Sequence, residues 1–205
     1  MSKIKLTYFD FSGGRGEPVR MALAIGGVDF EDHRISIDEF RQMREDLPLK
    51  AVPTMEVDGV VYTQCNAMTR YAGRLTGLYP EDPWQAFLCD ELMEAIEDTS
   101  NALVKTFGLE GDEMKAAREE LVNGTFTQYL NFFSQRLDAA GGEHFADKRL
   151  TIADLKVFSW VRSLNAGFLD HVPTDLTSRV APQLMEHMNR VAKDPRVASY
   201  LADIE

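Results

Sequence analysis

Two short stretches of this sequence carry residues whose types and positions could bind a ligand. In VPTMEVDG, Pro53 directly precedes a predicted strand, and proline cannot donate to a sheet ladder, so it marks a strand start, an edge or a special turn. Gln64 and Cys65 open a predicted helix, where unpaired N–H groups and the positive end of the helix dipole favour a carboxylate. A ligand site is one interpretation of this pair. An ordinary trans proline in a loop is the other, and the residues alone favour it.

Tyr8 and Arg15 are further candidates that predict little by themselves. Tyr8 lies on the apolar parity of the first predicted strand, where a tyrosine is usually a packing residue. Arg15 stands in the loop SGGRG, which lacks the spacing and the lysine of a phosphate loop. Cys65 and Cys89 form neither a CxxC pair nor a Cys/His cluster, so the sequence predicts no disulfide framework and no metal site.

The charge of the chain narrows the classes of partner. The 205 residues carry a formal net charge of −11, whereas nucleic acids and anionic membranes require a basic face. We therefore expect neither as a partner, and an anionic ligand would need local positive groups to hold it. No apolar run approaches the roughly 20 residues of a membrane span, and the N-terminus lacks the apolar stretch of a signal peptide. With two unpaired cysteines, these features predict a cytoplasmic protein.

The first part of the chain alternates between strand and helix patterns. KIKLTYF and VDFEDHRI predict strands, and each is followed by a predicted helix. VPTMEV and VVYT flank Asp58-Gly59, a dipeptide that fits a type I′ hairpin turn. Another helix is expected over 66–75. This order predicts an α/β unit with an antiparallel hairpin at one end.

Every later pattern is helical. Apolar residues keep to one face of a long helix, and again to one face over 126–137. In LTIADL, Thr151 and Asp154 have the spacing of a capping box. Two more helices are expected, over 177–192 and 195–202. The predicted organisation is an α/β domain over 1–77, a linker over 78–84 and an all-helical domain over 85–205.

These features together resemble a cytosolic glutathione transferase. The resemblance spans the chain and rests on YFDFSGGRGEPVR, EDHRI, VPTMEVDG, the Gln64-Cys65 helix start with RYAGRL, and the Thr151/Asp154 cap. The EDHRI run and the short connection before the proline make it most similar to the sigma class, which includes glutathione-dependent prostaglandin D synthases. The resemblance implies a thioredoxin-like N-terminal domain that binds glutathione and an all-helical C-terminal domain that forms most of the second-substrate pocket.

The resemblance also implies roles for the residues of the opening stretches. Tyr8 matches the position whose hydroxyl donates a hydrogen bond to the glutathione sulfur, and Arg15 matches an arginine near that sulfur. Val52 and Pro53 match a cis peptide whose backbone pairs with the cysteinyl backbone of glutathione. The γ-glutamyl carboxylate is expected at the start of the helix, and the residues that match this position are Gln64 and Cys65, where serine is usual in place of the cysteine.

Further matches concern the glycine end of glutathione, the second substrate and the subunit interface. Phe40 and Arg44 stand where the family has tryptophan and lysine beside the glycyl carboxylate, and Lys50 is another candidate for that carboxylate. Asp98 matches a residue that reaches across the interface of a homodimer to the γ-glutamyl amino group in the other subunit. The second-substrate pocket is expected to draw on Phe11, Gly14, Phe107 and Met114.

The expected function is conjugation of glutathione, as co-substrate, to a small electrophilic and apolar molecule, which is a detoxification reaction. One alternative is a glutathione-dependent isomerase of the prostaglandin type. Another is a non-catalytic glutathione- or ligand-binding protein, but a lost tyrosine would mark it, and Tyr8 is present. A last alternative makes Cys65 reactive through a lowered pKa at the helix start. The thiol-transferring members of the family carry their cysteine in the region from Tyr8 to Ser12, where this chain has none.

Overall fold

The computed structural model describes residues 2–204 and consists of a four-stranded sheet with three helices, followed by a helical half. The strands are β1 (Ile4–Phe9), β2 (Glu31–Ile35), β3 (Thr54–Val57) and β4 (Val60–Tyr62). The accompanying helices are α1 (Glu17–Ile25), α2 (Ile37–Met43) and α3 (Cys65–Leu75). The order strand, helix, strand, helix, strand, strand, helix is the predicted one.

The sheet combines parallel and antiparallel pairs in the order β2-β1-β3-β4. β1 runs parallel to β2 and antiparallel to β3, and β3 pairs antiparallel with β4. The hairpin between β3 and β4 turns at Asp58 and Gly59, whose φ angles are +50° and +86°. A type I′ turn requires positive φ at both central residues, so the predicted hairpin is confirmed.

The helical half begins at Pro83, inside the segment predicted as a linker. Asp82 caps the helix that starts at Pro83, because its carboxylate accepts from the backbone N–H groups of Trp84 and Gln85. None of the helices within residues 2–204 is both long enough and apolar enough to span a membrane. The helices are α4 (Pro83–Val104), α5 (Gly111–Leu121), α6 (Thr127–Ala139), α7 (Ile152–Asn165), α8 (Leu176–Val180), α9 (Pro182–Ala192) and α10 (Pro195–Ile204).

Three details differ from the sequence-based expectation. The single helix predicted over 177–192 is wrong: the chain forms α8 and α9, because Ala181 adopts φ −143° and ψ 69° directly before Pro182. The second strand begins at Glu31 rather than at Val28. Helix α5 has no predicted counterpart, and a single π-helical turn over Val122–Phe126 joins it to α6.

Helix α7 lies at the centre of the molecule. It is buried from Ile152 to Val161 and packs against α1, α4, α8 and α9. Because no water reaches its first turn, the polar groups there must be satisfied by protein atoms. The predicted capping box supplies them, since Asp154 accepts from the backbone N–H and the hydroxyl of Thr151, both at 2.8 Å.

The fully buried carboxylate of Asp154 has further partners outside its own helix. It accepts from the backbone N–H of Phe145 at 3.1 Å, and the Nε2 atom of His187 lies 2.9 Å away. Burial alone would raise the pKa of Asp154, but the hydrogen bonds and charges of His144 and His187 outweigh it and hold the pKa well below its ordinary value. The α7 cap is therefore also a junction between loop 144–151 and α9.

Replacing Asp154 by alanine should destabilise the fold strongly. The change leaves the Thr151, Phe145 and His187 groups buried without their acceptor, so we expect a loss of roughly 3 to 5 kcal/mol in the free energy of unfolding. Urea denaturation measures it. The matched control is Ser36→Ala, which removes the capping box of the solvent-exposed helix α2 and should cost about 1 kcal/mol.

The difference in the free energy of unfolding between wild type and Asp154→Ala should also depend on pH. Since the folded-state pKa of Asp154 is depressed, its ionisation stabilises the protein above the ordinary carboxyl pKa of about 4, and this contribution is lost as the pH falls below it. The difference between wild type and Asp154→Ala should therefore narrow below about pH 4. Equal losses in the Asp154 and Ser36 variants would contradict the central role of this cap.

Candidate active site

Two adjoining cavities lie between the sheet and the helical half. The apolar cavity, of about 150 Å³, is lined mainly by aromatic and aliphatic side chains of β1, the β1–α1 loop, α4 and α7. The polar cleft, of about 450 Å³, is bounded by the segment before β3, the start of α3 and the middle of α4. Arg15 and Glu97 line both cavities. Ligands in the cleft and in the cavity would therefore meet beside these two residues.

Tyr8 lies at the end of the apolar cavity nearest the sheet. Its side chain is buried, and its hydroxyl oxygen accepts a hydrogen bond from the backbone N–H of Arg15 at 3.0 Å. Burial raises the pKa of Tyr8 above its ordinary value, so the hydroxyl stays protonated at neutral pH. Because the Arg15 bond uses the oxygen as acceptor, the hydroxyl proton remains available for donation to a ligand atom.

Glycines in the β1–α1 loop make room for the Tyr8 side chain. A Cβ atom on Gly16 would lie 2.4 Å from ring carbons of Tyr8, and one on Gly14 would lie 2.5 Å from its hydroxyl oxygen. Gly14 also has a φ of +65°, which side chains rarely adopt. The buried guanidinium of Arg20 lies 5.6 Å from the centre of the same ring. The ring is therefore confined by the loop and by α1.

The polar cleft contains the two stretches that the sequence singled out. The Val52–Pro53 peptide bond is cis, as the family resemblance implied, and both residues line the cleft beside the start of β3. Gln64 is the N-cap of α3 with a φ of +75°, and its side chain does not cap the helix. The first-turn N–H groups and the positive dipole end of α3 therefore give the cleft a site that suits a carboxylate.

A network of charges behind the cleft was not predicted from the sequence. The Glu97 carboxylate accepts from Arg15 Nε at 2.8 Å through Oε2 and from Lys156 Nζ at 2.7 Å through Oε1. Lys156 also bonds to the side chain of Asn66 and lies 3.7 Å from the Cys65 sulfur. Burial alone would raise the pKa of Glu97, but the Lys156 ammonium and the hydrogen bonds to the carboxylate lower it below its ordinary value, so Glu97 is ionised.

Cys65 is part of this network as a protonated thiol. Its sulfur lies 3.1 Å from Glu97 Oε1, to which the thiol donates. Burial raises the pKa of Cys65 to about 11, so the lowered pKa considered from its helix-start position is not found. At neutral pH a thiol of this kind is a poor nucleophile, and Cys65 is a small buried donor to Glu97.

The remaining predicted site residues divide into two groups. Phe11, Gly14 and Phe107 line the apolar cavity, whereas Met114 lines neither cavity. The other four residues, Phe40, Arg44, Lys50 and Asp98, line neither cavity and have local partners. Phe40 packs edge-on against Phe9, and the Arg44 guanidinium bonds to the Lys50 carbonyl. The Lys50 ammonium pairs with Glu45, and Asp98 accepts from the Tyr129 hydroxyl. Within residues 2–204, no group of three or more His, Cys, Asp or Glu side chains could hold a metal ion.

Sequence reasoning missed Glu97 and Lys156, although one signal was present. Lys156 is the single charge within the apolar run IADLKVFSWV after Asp154, and a lysine in a helix that is apolar on all sides requires a buried partner. For Glu97 no signal existed, because it is one of two adjacent acids and nothing local distinguishes it from Asp98. The apolar cavity also uses Trp160 and Leu103, which read as ordinary core residues.

Comparisons of the sequence and of the fold with known proteins identify the same family. The family described as "Glutathione S-transferase, C-terminal domain" matches residues 97–203. The chain is 30% identical over 209 residues to probable glutathione S-transferase 7 of Caenorhabditis elegans, covering 98% of this chain and 96% of that one. It superposes on prostaglandin synthase D of Nilaparvata lugens with a TM-score of 0.88 and 27% identity, covering 99% of each chain. For the sigma class glutathione S-transferase of Fasciola hepatica the TM-score is 0.83 at 27% identity, covering 100% of this chain and 97% of that one.

These similarities confirm the predicted fold, a thioredoxin-like N-terminal domain followed by a helical C-terminal domain. The position of the boundary at residues 77 to 85 remains a prediction. The matched family region starts within α4 and runs through α10, so it lies inside the predicted helical domain.

Substituting Gly16 by alanine should strain the Tyr8 site without touching any charged group. The new methyl group meets the buried Tyr8 ring, so we expect a loss of about 1 to 3 kcal/mol in the free energy of unfolding, measured by urea denaturation. The control is Gly124→Ala, where a Cβ meets no atom within 4 Å and the helical backbone should be neutral or slightly stabilised. If both variants unfold alike, Gly16 does not confine Tyr8.

Proposed function

This chain belongs to the glutathione S-transferase family, and from that premise we propose how it transfers glutathione to electrophilic carbon atoms of apolar molecules. The observation that carries the proposal is the Tyr8 hydroxyl, which burial keeps protonated in the apolar cavity and which is bonded to Arg15, a residue shared with the polar cleft. Members of the family use glutathione as co-substrate. The polar cleft is the proposed glutathione site, and the apolar cavity the proposed site of the second substrate.

In the polar cleft, glutathione would be held mainly through its backbone and its γ-glutamyl carboxylate. The carboxylate would bind the N–H groups at the start of α3, beside Gln64 and Cys65. The cysteinyl backbone would pair with Val52 before the cis Pro53, as a strand added to the end of a sheet. Arg44 and Lys50 remain proposals for the glycyl carboxylate, and Phe40 for its flank.

Tyr8 would then act on the sulfur. A free thiol has a pKa of about 8.5 and the thiolate is the nucleophile, so a donor that bonds only to the thiolate raises the reactive fraction at neutral pH. The thiolate forms a carbon–sulfur bond with the electrophile, and the bond to the leaving group breaks, so that an aryl halide releases halide with the electron pair. The thiol proton leaves to solvent. Arg15, whose backbone N–H fixes the Tyr8 oxygen, would add a positive charge beside the sulfur.

The lining of the apolar cavity supports an apolar second substrate. Phe11, Phe107, Trp160 and Leu103 contribute aromatic and aliphatic surface, and Phe11 and Phe107 are 44% and 57% exposed. Such surface gains free energy when an apolar molecule covers it. We propose that the products are those of detoxification, in the sense that an apolar electrophile leaves with a charged tripeptide attached.

We assign the protein to the sigma class and to the cytoplasm as finer proposals. The class assignment is supported by the EDHRI run in β2 and by the likeness to a sigma class structure. The location is supported by two buried cysteines that are both free thiols. An isomerase of the prostaglandin type would share the same glutathione site, and family membership does not favour it over conjugation. Product analysis with a prostaglandin endoperoxide separates the two.

Replacing Tyr8 by phenylalanine should remove the donor and keep the ring. We expect glutathione affinity to be nearly unchanged, the pKa of the bound thiol to rise by about 1 to 2 units, and kcat/KM for an aryl halide to fall roughly 10- to 100-fold. Thiolate absorbance titration and a conjugation assay measure these changes. The control is Tyr71→Phe, an exposed tyrosine outside both cavities. Unchanged turnover in Tyr8→Phe would falsify the role.

We further propose a homodimer in which Asp98 completes the partner's glutathione site. The three residues of β4 support an interface, because Val60, Val61 and Tyr62 are 53%, 41% and 53% exposed on one edge of the sheet. Contiguous exposed apolar surface of this kind is typical of interaction sites. Asp98 is exposed and lines neither cavity of its own chain, as expected of a residue that serves another subunit.

Light scattering should give a mass twice the 23.1 kDa of one chain. Asp98→Asn should leave that mass unchanged and weaken glutathione binding about 5- to 50-fold, since it removes a charged hydrogen bond to the amino group. Asp112→Asn, an exposed acid of α5, is the control. A monomer that binds glutathione with full affinity would exclude both the dimer and the role of Asp98.

A further inference from the structure

Lys156 is a buried ammonium group in a helix whose buried side chains are mostly apolar. Its side chain is 2% exposed, and its neighbours Leu155 and Val157 are fully buried. An isolated buried ammonium destabilises a fold strongly, because it loses its hydration without gaining a partner. A lysine at this position must therefore have a compensating partner, and that partner is Glu97 at 2.7 Å.

Glu97 is at the same time the partner of Arg15. One carboxylate oxygen accepts from the Lys156 ammonium, and the other accepts from Nε of the Arg15 guanidinium. The Nη2 atom of Arg15 donates to the side chain of Asn101. We call Arg15, Glu97 and Lys156 the charge triad. It joins the β1–α1 loop, α4 and α7, and its formal net charge is +1. Without Lys156, Glu97 and Arg15 would cancel each other.

The charge triad lies where a bound thiolate would form. Arg15 and Glu97 line both cavities, and Lys156 lines the apolar one. The backbone N–H of Arg15 donates to the Tyr8 hydroxyl at 3.0 Å, so the loop that contributes Arg15 to the triad also fixes Tyr8. In a chain with a net charge of −11, a local excess of positive charge is needed for an anion to be favoured there.

We propose that Lys156 is a positioning residue for the transferase reaction: through Glu97 it keeps the charge triad at +1 and anchors Arg15, and so favours the thiolate of bound glutathione. This inference rests on the proposed function, because it concerns the sulfur that Tyr8 is proposed to activate. Lys156 acts through Glu97, since the three hydrogens of its ammonium group are taken by Glu97, Asn66 and the Cys65 sulfur.

The other ionisable groups around the triad do not replace this charge. Tyr8 and Cys65 are protonated and neutral. Arg20 lies 5.6 Å from the centre of the Tyr8 ring and is paired with Asp32 and Glu17. Glu94, on the rim of the polar cleft, is paired with Arg70, which also binds Asp90. Lys156 is therefore the cation that leaves the triad positive.

The test is a set of variants with opposite expected signs. Lys156→Met removes the positive charge and keeps the apolar stem, so the pKa of the bound glutathione thiol should rise by roughly 0.5 to 1 unit. Glu97→Gln removes the negative charge and keeps a hydrogen-bonding side chain of the same shape, so the thiol pKa should fall by a similar amount. The double variant Lys156→Met/Glu97→Gln leaves Arg15 alone at +1 and should return to the wild-type pKa.

Thiolate absorbance titration of the glutathione complex is the readout, with kcat/KM followed against pH in parallel. Lys193→Met, at the exposed end of α9, changes the net charge of the chain equally and should leave the thiol pKa unchanged. A purely structural role predicts a different pattern, in which both single variants raise the thiol pKa and the double variant raises it further. That pattern, or no shift in Lys156→Met, overturns the proposal.

The same experiment also distinguishes failure of the proposed function from failure of the proposed role of Lys156. If Lys156→Met does not fold, Glu97→Gln decides: a lowered thiol pKa supports the charge triad, and an unchanged or raised one overturns it. If the wild-type thiol pKa is not lowered from the free value, the proposed function itself fails. A lowered wild-type pKa that neither variant changes leaves the proposed function standing and rejects the role of Lys156.

Discussion

The burial of α7 on all sides is the constraint on which the rest of this structure depends. A helix without access to water must satisfy its free backbone groups and its polar side chains with protein atoms. Asp154 does so at the first turn, where it binds the cap residue, the preceding loop and His187 of α9. Lys156 does so two residues later through Glu97. The same helix then presents Trp160 to the apolar cavity, so core packing and active-site geometry are set together.

Electrostatics decides how an acidic chain can favour an anion. The net charge of −11 opposes any anionic ligand, and two local features work against it. The start of α3 offers unpaired N–H groups and a dipole end to a carboxylate. The charge triad offers a net positive charge near Tyr8, assembled from three separate elements. Burial also sets the state of the neutral groups, since it keeps Tyr8 a donor and Cys65 a thiol.

Local sequence patterns predicted those elements that a few consecutive residues define, such as an apolar alternation, a turn dipeptide or a capping box. The alternation in β1, the Asp58-Gly59 turn and the cap of α7 are of this kind. Helix α5 escaped prediction because it buries only Arg118 and so lacks an apolar face. The break between α8 and α9 was missed because the apolar pattern continues across it, while the backbone changes direction at Ala181 before Pro182.

By itself the sequence determined the order of strands and helices up to α3, the capping of α7, and the residues of the cleft that lie in recognisable motifs, among them Pro53 and Gln64. Only the tertiary structure decided which of two adjacent acids faces the cavities, because Glu97 and Asp98 differ by a rotation of about 100° around α4 and not by any local pattern. It also decided that Lys156 meets Glu97 across 59 positions of chain. A pairing of this kind depends on how separate helices pack, and periodicity within one helix carries no information about its neighbour.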